Sequence, residues 1–190
     1  MHRVAFLVAA AYLALPTATS GAVGSYTFDG GTRTQRETVV AALEASSFDW
    51  ILVPGPVTIH IVPGEPSRSL PREIWLDADL LDAGQFAWGV VQHEYAHKVD
   101  YLLLDEAQRD LLLRELGGRD WCYGVPGLAH DQYGCERFAS TLAWSFWPSP
   151  ENSMRPTRQL DESAAMAPAK FRALVSKLTS RTAARSVRKH

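Results

Sequence analysis

Asp82-Ala83-Gly84-Gln85-Phe86-Ala87-Trp88-Gly89-Val90-Val91-Gln92-His93-Glu94-Tyr95-Ala96-His97-Lys98-Val99-Asp100-Tyr101-Leu102-Leu103 is the stretch on which the reading of this chain turns. No proline interrupts it, and Asp82 stands where an N-cap belongs, so the pattern predicts a helix over 82–103. Phe86, Trp88, Val90, Val91, Val99 and Leu102 give that helix a buried character. Inside it stands His93-Glu94-Tyr95-Ala96-His97. Residues four apart share one helix face, one turn apart. Two imidazoles so spaced can bind one metal ion from the same side, and a carboxylate beside the first of them can reach a water on that ion.

Outward from this helix, local patterns predict an early group of short strands and a later group of helices. Ser25–Phe28 reads as a strand closed by Asp29-Gly30-Gly31. Thr34–Ala45 reads as a helix with apolar residues at 39, 40 and 43. Val57–Val62 alternates between Pro-Gly stops, and Glu73–Leu76 reads as another strand, a candidate edge or else a central one. Asp105–Leu116 is a second helix ending at Gly117-Gly118. Residues 119–134 form a loop rich in Gly, Pro and aromatics. A third helix over Glu136–Phe146 is stopped by Pro148 and Pro150, a polar stretch follows, and a last helix covers Pro168–Leu178. The fold class is α+β: a small early sheet packed on helices, in a single domain over 23–180.

Composition narrows the classes of function. The chain has 190 residues, a 46% apolar fraction and a net charge of −2, which suit a packed domain and argue against a general nucleic-acid binder. Residues 1–22 read as a signal peptide. Met1-His2-Arg3 is a short basic start, Val4–Leu15 an apolar run, and Pro16–Ala22 a small, polar cleavage region. No second apolar stretch predicts a membrane span. In an oxidising compartment the only two cysteines, Cys122 and Cys135, predict one disulfide. The basic end over 181–190 reads as a solvated, disordered arm.

The segment 93–97 resembles the HExxH signature of the zincin metallopeptidases, and the likeness extends more loosely to about residue 144. The longer metzincin signature is absent, because Lys98-Val99-Asp100-Tyr101 follows His97. The resemblance is therefore to the thermolysin-like gluzincins, which implies zinc held by His93, His97 and a glutamate from a later helix. Glu136, 39 positions beyond His97, fits. One departure stands out: that family often reads E-x-x-x-D, and here Ser140 occupies the place of the aspartate. Asp100, on the same arc as His93 and His97, is then expected to accept the free N–H of a ligand histidine. His130 competes with Glu136 for third ligand, with Asp131 and Glu115 further behind.

The resemblance implies hydrolysis of peptide bonds by a zinc-activated water with Glu94 as general base. Tyr123, His130 and Tyr133 are the candidate donors to the transition state. A peptide or protein substrate, a monomer, and a secreted or cell-wall-associated location are expected. A peptidoglycan amide or peptide hydrolase and a non-catalytic zinc-binding protein remain open beside the protease.

Overall fold

Five strands form one mixed sheet in the order β1-β2-β3-β5-β4, and helices cover one of its faces. The computed structural model describes residues 19–21 and 24–187. The predicted signal segment lies outside the described residues except for Thr19–Gly21, which forms β1 and pairs antiparallel with β2, Gly24–Gly30. β2, β3 (Val57–Val62) and β5 (Glu73–Asp77) are parallel, and β4 (Arg68–Leu70) returns antiparallel on β5.

The alternation in β3 does what its period requires. Val57, Ile59 and Ile61 are buried, while Thr58, His60 and Val62 remain partly exposed on the other face. Pro71-Arg72 folds β4 back onto β5, so the sheet edge is Arg68–Leu70 and not Glu73–Leu76, the candidate edge from sequence. Helix α1 (Arg33–Ala45) opens with a capping box between Thr32 and Gln35, and buries Val39, Ala42 and Leu43.

The predicted helix over 82–103 divides. Ala78–Leu81 is a short α2, and α3 runs from Phe86 to Leu103. Gly84 adopts a φ of +67° between them, which breaks the helical hydrogen bonding. Asp82 is therefore no N-cap; its carboxylate accepts instead from Gln35 Nε2. Every residue from Val91 to Asp100 is buried, the signature of a helix enclosed on all sides.

α3 packs against α1 on one side and α5 (Gly134–Phe146) on the other. A Cβ on Gly89 would collide with Asn152 and Ser153, so glycine there lets the segment after α5 press against α3. That segment carries the short helical turn Glu162–Ala164 back onto α5. α4 (Glu106–Leu116) is capped by Asp105 and ends at Gly117, whose φ is +72°. α6 (Pro168–Val187) packs Phe171 against Phe138 of α5, and its helix continues through Arg181–Val187, where the sequence predicted a disordered arm. No helix among the described residues is long and apolar enough to cross a membrane.

Candidate metal centre

Two adjacent stripes of α3 face two different partners. His93 and His97 point at α5. Glu94, Lys98 and Tyr101 point at the sheet edge. Ser69 of β4 lies 2.7 Å from the Glu94 carbonyl oxygen and 3.0 Å from its Oε2. Lys98 Nζ donates to the carbonyls of Leu70 and, at 2.8 Å, Glu73. The helix spacing of the motif thus sets the metal stripe and the strand stripe side by side.

Glu136 is the third residue of α5, in the first turn, where a carboxylate is favoured by the unpaired amides of a helix start. The Cys122–Cys135 disulfide and Tyr123 clamp this turn. The sulfurs are bonded to each other, and Tyr123 Oη donates to Glu136 Oε1 at 2.8 Å. Tyr123 holds a φ of +55°, a conformation rare for a bulky side chain.

His93 Nε2, His97 Nε2 and Glu136 Oε2 converge. His93 to Glu136 is 3.1 Å, His97 to Glu136 3.4 Å, and the two imidazole nitrogens are 3.3 Å apart. A four-coordinate ion with bonds of about 2.0–2.1 Å needs ligand atoms about 3.3–3.4 Å from one another. All three residues are buried, with 4–5% of their surface exposed. This buried group can hold a metal ion.

The proton bookkeeping supports a cation at that point. Ser140 Oγ lies 3.0 Å from His93 Nδ1 and 2.7 Å from Glu162 Oε2. A carboxylate only accepts, so the hydroxyl proton goes to Glu162 and the serine oxygen accepts the His93 Nδ1 proton. In a neutral His93 the lone pair is then left on Nε2, facing Glu136 Oε2 and His97 Nε2, whereas a protonated ring donates there to Glu136. Burial disfavours a charged imidazole at His93, but the Glu136 hydrogen bond and the Glu94, Glu136 and Glu162 charges outweigh it, and its pKa is raised. Burial likewise acts to raise the Glu136 pKa, and the two histidines overcome it, holding the carboxyl far below the usual range.

Several expected roles move. Asp100 supports no ligand histidine. Its carboxylate accepts from Arg109 Nε at 2.7 Å and from Trp121 Nε1 at 3.2 Å, and so ties α3 to α4 and to the loop before α5. Burial raises its pKa against the opposing Arg109 charge. His97 Nδ1 is buried without a hydrogen-bond partner. The supporting role for His93 falls to Ser140, at the place where the family pattern has aspartate. Tyr133 is no site donor: its hydroxyl donates to the Val125 carbonyl, and its ring packs on Tyr123. Glu115 pairs with Lys170 outside the site, and Asp131 is exposed.

His130 is in the site but not in the ligand triangle. Its Nδ1 is 2.6 Å from Glu162 Oε1 and its Nε2 3.3 Å from Glu136 Oε2. The Glu162 hydrogen bond, opposed by burial and aided by the Glu136 charge, raises its pKa. Tyr123, His130, Glu94 and Ser69 line a cavity of about 130 Å³ in front of the triangle. Sequence reasoning missed Ser69 and Glu162. The signal for Glu162 was Ser140 itself, since a hydroxyl in place of a carboxylate leaves the charge to be supplied from elsewhere. Comparisons with protein-family models, with curated proteins and with solved structures gave no match.

Proposed function

We propose that this chain is an exported zinc metallopeptidase resembling the thermolysin-like gluzincins, with His93, His97 and Glu136 as ligands and Glu94 as general base. One observation carries the reading: three buried acceptor atoms lie 3.1–3.4 Å apart, with the Glu94 side chain lining the cavity in front of them. A purely structural metal site has no need of Glu94. The disulfide is compatible with an extracellular location.

Zinc, when bound, supplies a Lewis acid that polarises a carbonyl and makes a water more acidic. The remaining work belongs to side chains. Glu94, oriented by Ser69, takes a proton from the attacking water. It returns that proton to the amide nitrogen as the carbon–nitrogen bond breaks. Tyr123 and His130 are the donors to the carbonyl oxygen as it gains charge. Burial, reinforced by Glu136, holds the Tyr123 hydroxyl above its ordinary pKa, so it stays protonated across the neutral range. β4, the last strand of the sheet, is where an extended peptide aligns, beside Ser69 and Leu70, whose carbonyls already accept from Tyr101 and Lys98.

The test is a peptide panel, cell-wall stem peptides included, offered to the zinc-loaded protein and to Glu94→Gln. The parent cleaves at least one class. The variant keeps its zinc and loses about 10²- to 10⁴-fold in rate. Equal cleavage by both would remove Glu94 from the chemistry.

A further inference from the structure

Glu162 lies in the segment that closes back over α5, far from the signature residues in sequence, and both of its oxygens are committed inside the site. Oε2 accepts from Ser140 at 2.7 Å, and that hydroxyl stands 3.0 Å from His93 Nδ1. Oε1 is 2.6 Å from His130 Nδ1. The Glu162 backbone is held as well: its carbonyl accepts from Thr141 Oγ1 at 3.2 Å, and Asp161 caps the amides of Thr157 and Arg158 just before it.

We propose that Glu162 is a positioning residue shared by the two halves of the site. Through Ser140 it fixes the His93 tautomer and keeps a lone pair on Nε2 for the metal. Directly, it turns His130 so that Nε2 faces the cavity. A carboxylate that orients a ligand histidine strengthens the ligand. Here one carboxylate does so through a hydroxyl and spends its second oxygen on the histidine at the cavity mouth. The catalytic consequence rests on the zinc-peptidase reading, whereas the orientation of the two rings does not.

The experiment uses the full chain with ¹⁵N-labelled histidine rings, first metal-free and then with zinc added against a competing chelator. Glu162→Gln shifts the ring signals of both His93 and His130, and His97, which touches His93 and not Glu162, moves only where His93 does. Ser140→Ala shifts His93 more than His130, and it carries the test even where the Glu162 variant does not fold. Zinc affinity falls about 10- to 100-fold in either variant, and the double variant binds no more weakly than the weaker single. A Glu162→Gln spectrum in which only one of His93 and His130 moves, a Ser140→Ala spectrum in which His93 stays put, or losses that multiply in the double variant would overturn the proposal. A parent that takes up no zinc refutes the peptidase reading, and the metal-free ring spectra still decide the role of Glu162.

Discussion

Among the described residues, two clusters set histidine among acids, and only one of them has the geometry to hold a metal ion. On the outer face of the sheet, His60 Nδ1 is 2.8 Å from Asp29 Oδ2, and its Nε2 is 3.6 Å from Glu73 Oε1. Its ring stacks on Trp75 at 4.8 Å, and the Arg68 guanidinium lies 4.5 Å from the centre of that indole. These residues share one cross-strand row, Asp29–His60–Trp75–Arg68, given by strand register alone. In the candidate centre, by contrast, three acceptors from two helices meet at a buried point.

The difference lies in where the lone pairs go. At His60 the Nδ1 nitrogen has Asp29 Oδ2 at 2.8 Å, while Nε2 has no hydrogen-bond partner and stands 3.6 Å from Glu73 Oε1; the two carboxylates are 70% and 47% exposed, so water screens them. At His93 the Nδ1 proton is taken by Ser140, and the other nitrogen shares one small space with two more acceptors. Buried acceptors facing one another cost free energy unless a cation or proton joins them. Acids around a histidine can hold a metal ion where the partners converge on one buried point, and not where they diverge towards solvent.

This contrast can be broken by substitution. His97→Ala should lower zinc affinity by more than the roughly 10- to 100-fold expected of an outer support, read by chelator competition. Retention of parental affinity would show that the convergence is incidental. Replacing Cys122 and Cys135 together by serine removes a short cross-link and should lower unfolding stability by about 3 kcal/mol in denaturant titration. Because the same link clamps the Glu136 turn, zinc affinity should fall with it, and a loss of stability with undiminished zinc binding would make the disulfide a clip without influence on the ligand. His60→Ala should cost only about 1 kcal/mol, from a screened pair and a ring stack, and leave zinc affinity at the parental value. A loss of zinc there would erase the distinction between the clusters.

What could be read from sequence followed the range of the physics. The placement of His93, Glu94 and His97 was legible because helix periodicity over five residues sets their geometry. Glu136 was reached through resemblance, and its burial beside both histidines agrees with it. Asp100 shows the limit of the arc argument: position on a helix tells which way a side chain faces, but not that Arg109 and Trp121 wait there. The β4 edge was missed because a three-residue strand carries almost no periodicity. Glu162 was missed because its arrival depends on Gly89 admitting the 152–153 segment against α3, a tertiary event with no local pattern.

The central claim is that His93, His97 and Glu136 form one zinc site. Titration of the metal-stripped protein with zinc, followed by metal analysis after removal of the excess, tests it most directly. The account predicts one zinc per chain, retained in His60→Ala and Glu94→Gln and lost in His93→Ala. No stoichiometric zinc in the parent, or full retention in His93→Ala, would contradict it.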